Sequence, residues 1–208
     1  MASPVDPRIP LSLLEAVRTI DTPEGVEEAE YVPELRNKRL GLSDTVYAQI
    51  RRYVDAVRRS QRIPHEEAAG LARLIGRRPD AEAVFRAAGL GFALAAYETL
   101  PAHSRGMMRM LPGMLARPIA LGHLRRLGAR LLNGEVSRVG ASLVLEVRET
   151  VTYESAPRHA GCTYYESSLR ELLTLLVNGA GAVQHVRCAE RGEGTCQWRS
   201  EWRPLRGG

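Results

Sequence analysis

The sequence has 208 residues, of which 44% are hydrophobic and 25% are charged, so it can bury a sizeable core and lacks the composition of a disordered chain. The formal net charge is +5, but only one of the 29 basic residues is a lysine, and the arginines are spread along the chain. A nucleic-acid interface needs basic residues clustered on one face, so we do not expect nucleic-acid binding. The arginine bias is instead typical of a GC-rich bacterial genome.

Membrane insertion and export are not expected. The N-terminal segment lacks the basic start and unbroken apolar core of an export signal. The most apolar run, from Ala87 to Tyr97, is far shorter than the ~20 residues that span a bilayer. We therefore expect a cytoplasmic protein with no membrane span. In a reducing compartment, three cysteines favour metal or thiol chemistry over a disulfide scaffold.

Helical periodicity dominates the chain up to about residue 130. Ser43 and Asp44 offer a cap for a first clear helix, whose apolar positions are Val46, Ile50, Tyr53, Val54 and Val57. A second helix is expected between Pro64 and Gly76, and a third between Asp80 and Leu100. The third helix contains two glycines at 89 and 91, each of which costs about 1 kcal/mol relative to alanine unless a neighbour packs closely against it.

The segment PAHSRGMMRMLPGMLARP is predicted to be a loop. It leads into a helix with an apolar stripe made of Ala120, Leu124, Leu127 and Leu131. Four methionines fall in the segment, namely Met107, Met108, Met110 and Met114. Thioether side chains suit either a pliable pocket wall or the filling of gaps in a core, and we favour gap filling because no polar groups converge there.

The period changes to two residues after Gly134. In ASLVLEVRETVTYES apolar and polar residues alternate as far as Tyr153, which predicts a half-buried strand, with EVSRVG before it as a hairpin partner. YYESSLRELLTLLVNG predicts a helix that ends at Asn178-Gly179. Its buried face would consist of Leu169, Leu172, Leu173 and Leu176. Two further strands, AVQHVRC and TCQWRSEW, are joined by the turn AERGEG. The fold class is therefore α+β, with a helical N-terminal half packed on a small antiparallel sheet and one long helix.

The three cysteines and one histidine can converge on this scaffold. Cys188 and Cys196 lie at opposite ends of the C-terminal hairpin. His185 precedes Cys188 by three residues, so the two share one side of a strand only if a bulge or bend intervenes. Cys162 stands just before the leucine-striped helix and reaches the hairpin if that helix packs across the sheet. Three thiolates and one imidazole complete a tetrahedral zinc shell, but two buried thiols with a surface histidine are an equally good interpretation of the residues alone.

The segment GCTYYESSLRELLTLL…QHVRCAERGEGTCQW resembles the signature of the 4-vinyl-reductase-type domain family. This family is related in fold to the subunits of the TRAPP transport-particle tethering complex and to effector-sensing domains of phenol-responsive bacterial activators. The family pattern has a cysteine before a helix, then Glu-x2-Cys, a glycine-containing turn and Cys-x-Phe. Four residues match it, namely Cys162, Cys188, Gly192 and Cys196. His185 stands at the glutamate position, and Trp198 at the phenylalanine position. A glycine usual in the helix is replaced by Ser167 and Ser168.

The resemblance implies a structural Zn2+ held by Cys162, His185, Cys188 and Cys196. Four protein ligands leave no open position for a substrate, so function is expected in an apolar cavity between helices and sheet, where related sensors hold an aromatic effector. The expected wall consists of Phe85, Phe92, Tyr97, Met107, Met110, His123 and Trp198. His123 could donate a hydrogen bond to a ligand hydroxyl, although a histidine beside an apolar stripe is more often a boundary residue, and Trp198 more often packs in the core.

These features predict a non-catalytic sensor or carrier domain that binds a small hydrophobic or aromatic molecule. We predict an N-terminal extension over 1–40 and a single ligand-binding-type domain over 41–208, with a zinc-clamped subregion at 135–205. A homodimeric scaffold that pairs through the Ala87–Tyr97 run is the alternative. An accessory role in tetrapyrrole vinyl reduction is less favoured, because no nicotinamide or flavin motif and no recognisable acid–base pair is present.

Overall fold

The computed structural model describes residues 2–22, 40–110, 113–177 and 182–201, with the backbone alone at 40, 107, 109 and 113–115. The helices in these ranges are α1 Arg8–Asp21, α2 Asp44–Arg58, α3 His65–Gly76, α4 Ala81–Glu98, α5 Ala102–Met110, α6 Gly113–Leu131 and α7 Thr163–Val177. The strands are β1 Gly134–Val139, β2 Ser142–Val147, β3 Val183–Arg187 and β4 Cys196–Glu201. Helices thus precede one small antiparallel sheet, with the long helix α7 inserted between β2 and β3, which confirms the predicted α+β class. The predicted stop of α7 at Asn178-Gly179 lies outside the described residues.

Local sequence signals set the starts of the early helices. The backbone N–H of Val46 donates a hydrogen bond to Ser43 Oγ at 3.3 Å, so the predicted cap of α2 is confirmed. Pro64 immediately precedes α3, where its fixed φ angle favours the entry into a helix. Asp80 immediately precedes α4. None of the described helices has the length and apolarity needed to cross a membrane.

Helix α4 lies at the centre of the core, where it packs along α7 on one side and α1 on the other. Its side chains Phe85 and Phe92 are fully buried. Helix α1 contributes Leu13 and Val17, which are also fully buried. The segment 1–40, expected to be an extension, therefore contains a helix that packs inside the common core.

The two glycines of α4 occupy opposite environments. A Cβ atom at Gly89 would lie 2.1 Å from Ser167 Oγ and 2.3 Å from the carbonyl oxygen of Tyr164, both on α7. Ser168 Oγ donates a hydrogen bond to the Gly89 carbonyl at 3.1 Å across the same contact. At Gly91 a Cβ atom would meet nothing within 4 Å. The close neighbour expected from the sequence exists at Gly89 only.

The prediction of a methionine-rich loop is wrong. Helix α5 covers half of that segment, and α6 begins before Pro118, which lies inside it. Alanine, arginine and methionine have high helix propensity, and together they outweigh the cost of Gly106 and the main-chain donor lost at Pro118. Met108 is buried, as gap filling requires, whereas Met110 is exposed.

The sheet has the order β1-β2-β4-β3, and every neighbouring pair is antiparallel. Leu145 lies opposite Trp198 and Val147 opposite Cys196, so these four buried side chains share the face that meets the helices. Helix α6 packs on β1, and α7 packs on β3 and β4. The sheet therefore brings the cysteine-bearing hairpin against the start of α7.

The predicted continuation of β2 as far as Tyr153 is also wrong, because the strand ends at Val147. Beyond it the N–H groups of Tyr153 and Ser155 donate to the carbonyls of Thr150 and Thr152, each at 3.2 Å, and form turns. Both threonines are buried and Tyr153 is 43% exposed, the reverse of what the strand pattern predicts. The alternation of residue types therefore continued past the end of the strand.

Candidate metal centre

The structure brings Cys162, His185, Cys188 and Cys196 together. One potential ligand atom from each lies within 4.8 Å of the other three. Cys162 ends a short 3-10 helix (Pro157–Cys162) that leads into α7, His185 lies on β3, Cys188 follows β3, and Cys196 begins β4. The three cysteines are buried and free of disulfides, and His185 is partly buried. This Cys/His cluster could hold a metal ion.

A bulge in β3 aligns the histidine with the cysteines. His185 pairs with Trp198 and Arg187 pairs with Gln197, so the register shifts by one residue between them. The shift turns the following residue, Cys188, toward the side on which His185 lies. The bulge that the sequence required for joint ligation is therefore present.

The turn after β3 presents its thiols to backbone donors. A short 3-10 helix, Ala189–Arg191, is followed by Gly192 and Gly194, each at φ 79°, a left-handed conformation that favours glycine. The N–H of Ala189 donates to Cys196 Sγ at 3.3 Å. The N–H of Cys188 donates to Glu193 Oε2 at 2.5 Å and so closes the turn. The backbone thus fixes Cys188 and Cys196 side by side.

The spacing of the cluster suits a tetrahedral ion. With Zn–S bonds of about 2.3 Å, two sulfur ligands of a tetrahedral zinc lie about 3.8 Å apart. The four ligand atoms lie within 4.8 Å of one another, so a contraction of about 1 Å or less completes the shell.

The thiols are already polarised toward metal binding. A hydrogen bond from the Cys162 thiol lowers the pKa of Cys196 against the opposing effect of burial, and contacts with His185 and the Ala189 N–H lower that pKa further. The same thiol–thiolate hydrogen bond, together with burial, raises the pKa of Cys162. Cys196 is therefore the thiolate of the Cys162–Cys196 pair. Zinc binds cysteine as the thiolate, so metal binding would be coupled to release of the proton on Cys162.

His185 has a buried ring nitrogen without a described hydrogen-bond partner. Its Nε2 is buried and has no hydrogen-bond partner among the described residues. The ring stacks on Trp198, with centroids 4.8 Å apart and an angle of 14° between the planes, and Trp198 stacks in turn on Tyr165 of α7 at 5.0 Å. A buried polar atom without a partner costs about 1–3 kcal/mol. A metal ion that takes a ring nitrogen as ligand offers the histidine a partner inside the cluster.

Comparison with known proteins assigns no family to the chain. No protein-family model, curated protein or solved structure matches it. The resemblance to the 4-vinyl-reductase-type family therefore stays a prediction, and the function is argued from the site itself.

The residues expected to form an apolar pocket range from fully buried to exposed. Phe85, Phe92 and Trp198 are fully buried, and Tyr97 is nearly so. His123 is half-buried on α6, where burial and then the charge of Arg126 lower its pKa. Met110 is exposed, and the side chain of Met107 lies outside the described residues. None of them lines the three clefts that the structure describes on the protein surface.

A cleft of about 450 Å³ lies beside the Cys/His cluster, and the sequence did not predict it. Its lining includes His65, Arg148, Thr150, Tyr153 and the turn residues Ala189 and Gly192. Both ring nitrogens of His65 are buried without a hydrogen-bond partner in the described part of the chain. The lining comes from four segments far apart in sequence, one of them at Ala2, so no local pattern could have revealed it.

Proposed function

We propose that the protein is a non-catalytic sensor or carrier domain that binds a small molecule and whose C-terminal hairpin is held to α7 by a structural Zn2+. The closed donor set of three buried cysteines and His185 carries the proposal. A zinc ion with four protein ligands has no open position for water or substrate, so it stabilises structure. Free, buried thiols at this spacing persist in a reducing environment, which favours a cytoplasmic location.

The ion would act as a clamp between distant parts of the chain. Cys162 lies at the start of α7, while the other ligands belong to the β3–β4 hairpin. In the unfolded chain these ligands are scattered, so the free energy of zinc binding becomes free energy of folding. The stacked rings of His185, Trp198 and Tyr165 support the same junction with apolar contact.

The cleft beside the clamp is the best candidate for the ligand-binding site. His65 offers two buried nitrogens that lack a described partner. The lining adds polar groups from Arg148 and Thr150 and carboxylates from Glu66 and Glu149. A small aromatic molecule with a hydroxyl could pair with His65 and place its ring beside Tyr153. Because Ala189 and Gly192 line the cleft next to Cys188, an occupied cleft would stiffen the clamped turn. That coupling would let a sensor register its ligand.

The clamp is tested by Cys162→Ser, which removes a ligand contributed by the start of α7. We expect this variant to lose the clamp ion that wild type binds and its melting temperature to fall by about 10 °C, as loss of a structural metal costs several kcal/mol. Val183→Ala is the control, since it trims a buried β3 side chain outside the cluster and should lower the melting temperature while zinc stays bound. Wild type that binds no zinc under anaerobic, reducing conditions would refute the clamp.

The cleft is tested with phenol as the probe. Phenol should shift the NMR resonances of the His65 and Tyr153 side chains in wild type, and the Tyr153 shift should vanish in His65→Ala. His103→Ala changes an exposed histidine on α5 and should leave the response intact. Phenol shifts confined to other parts of the protein, or none at millimolar concentration, would contradict a ligand seat in this cleft.

A homodimeric scaffold is a second proposal, supported by one face of α4. Leu90 is 39% exposed and Leu94 is 49% exposed, one helical turn apart, with Gly91 open between them. A second copy could pack against this face. Light scattering after size-exclusion chromatography should then show a dimer that Leu94→Glu converts to a monomer. A monomeric wild type at high micromolar concentration would exclude this function.

A further inference from the structure

We infer that the cluster holds a second metal ion, which shares the thiolate of Cys188 with the first and is completed by His159 and Glu190. One ligand atom from each of these three residues lies within 4.8 Å of the other two. The inference rests on the proposed zinc clamp, because both ions use Cys188. It adds a site with a different coordination and a different relation to solvent.

Local backbone conformation and hydrogen bonding position the two additional ligands, His159 and Glu190. Arg158 and His159 adopt left-handed conformations at φ 55° and 58°, which are unfavourable for residues other than glycine. This conformation brings His159 Nδ1 to 2.5 Å from Glu190 Oε2. Glu190 Oε1 in turn accepts a hydrogen bond from the N–H of Glu154 at 2.7 Å. Glu190 is thus oriented from outside the cluster, as carboxylates that ligate metals commonly are.

Charge balance favours a second divalent ion. Three thiolates exceed the charge of one Zn2+ by one negative unit, and the Glu190 carboxylate, whose side chain is only 10% exposed, adds another. A second divalent ion balances both charges, which avoids the cost of burying uncompensated charge.

The ligand set defines the chemistry of the second ion. Thiolate, imidazole and carboxylate ligands together select Zn2+ or Co2+ over Mg2+ and Ca2+. Three protein ligands leave a fourth position for water, unlike the closed shell of the clamp. The His159 side chain is 41% exposed, so this ion lies on the solvent side of the buried thiols and should exchange more readily than the first.

Zinc titration of the full chain, followed by native mass spectrometry, tests the site. Wild type should bind two ions, whereas His159→Ala and Glu190→Gln should each bind one. His103→Ala should still bind two, because that histidine lies on the exposed surface of α5. Wild type saturated at one ion would overturn the second site and leave the clamp standing, while wild type with no ion would refute both. Two ions in His159→Ala would place the second ion elsewhere and also overturn the assignment.

Cobalt substitution tests the shared thiolate. The first equivalent of Co2+ should give a high-spin electron paramagnetic resonance signal, and the second should weaken it through magnetic coupling across Cys188. In His159→Ala the second equivalent should leave the signal of the first unchanged. A wild-type signal that doubles when two ions are bound would show separate, uncoupled sites and would refute the bridge.

Discussion

Gly89→Ala should destabilise the protein, because the added methyl group has no room between α4 and α7. The methyl carbon would lie 2.1 Å from Ser167 Oγ and 2.3 Å from the Tyr164 carbonyl oxygen, whereas non-bonded contacts with carbon normally lie near 3.5 Å or above. One of the two obstacles is backbone, so rotation of a side chain cannot relieve the clash. The two helices must separate by about 1 Å, or α7 must shift along its axis.

The magnitude follows from two opposing effects. Overpacking of a dense core costs about 3 kcal/mol at the upper end of its usual range, and alanine regains about 1 kcal/mol of helix propensity. The net loss of about 2 kcal/mol lowers the melting temperature of a chain of this size by about 4–8 °C. Gly91→Ala is the matched control in the same helix. It meets nothing within 4 Å and should raise the melting temperature by about 2–4 °C.

Thermal unfolding followed by circular dichroism, with zinc in excess, distinguishes the two variants. Since α7 begins one residue after Cys162, a displaced α7 should also weaken zinc binding in Gly89→Ala and not in Gly91→Ala. If both variants unfold at or above the temperature of wild type, the close approach of α4 and α7 is not a feature of the folded protein. Gly89 would then have no part in positioning α7 for the clamp.

Three further predictions concern polar contacts and the metal. Burial alone would raise the pKa of Asp21, but the contact at 2.7 Å between one of its oxygens and an Arg78 nitrogen helps to lower that pKa below its usual value. The stabilising effect of Asp21 is therefore present above the unfolded pKa of about 3.9 and is lost as the pH falls through the folded value. Asp21→Asn should lower the urea midpoint at pH 7, and this effect should shrink as the pH falls below about 3.9; an effect that does not change with pH would contradict the ion pair. Tyr165→Phe should cost about 1–3 kcal/mol in urea unfolding, because the buried N–H of Val151 donates to the Tyr165 hydroxyl at 3.0 Å and would lose that acceptor. A strong chelator should lower the melting temperature of the wild type by more than that of Cys162→Ser, which lacks the clamp ion, whereas equal responses would point to an effect unrelated to the clamp.

Short-range chemistry made much of the fold predictable. Ser43 can accept a hydrogen bond from a helix N-terminus, and the structure uses it so. The two-residue alternation around Leu145 identified β2, since a strand with one face on the core requires it. The need for a bulge between His185 and Cys188 followed from the pleat of a strand and the spacing of two ligands. In each case the signal is a local pattern of residues within a single helix or strand.

Where contacts between distant segments determine the structure, the sequence did not predict it. The alternation of apolar and polar residues continues past Val147 into a turn, where Thr150 and Thr152 are buried. The left-handed backbone at Arg158 and His159 has no glycine to signal it, so the convergence of His159 on Glu190 could not be foreseen. The cleft around His65 likewise depends on α3, the end of β2 and the hairpin turn meeting in space.

The position of β4 within the sheet also determines the order of folding steps during synthesis on the ribosome. β4 pairs with both β2 and β3, although it is synthesised after them. Until residues 196–201 emerge, the nascent chain exposes the unpaired edge of β2, a surface prone to wrong pairing. Under the proposed clamp, zinc binding also requires Cys196, so metal loading and closure of the sheet would occur in the same step of biosynthesis.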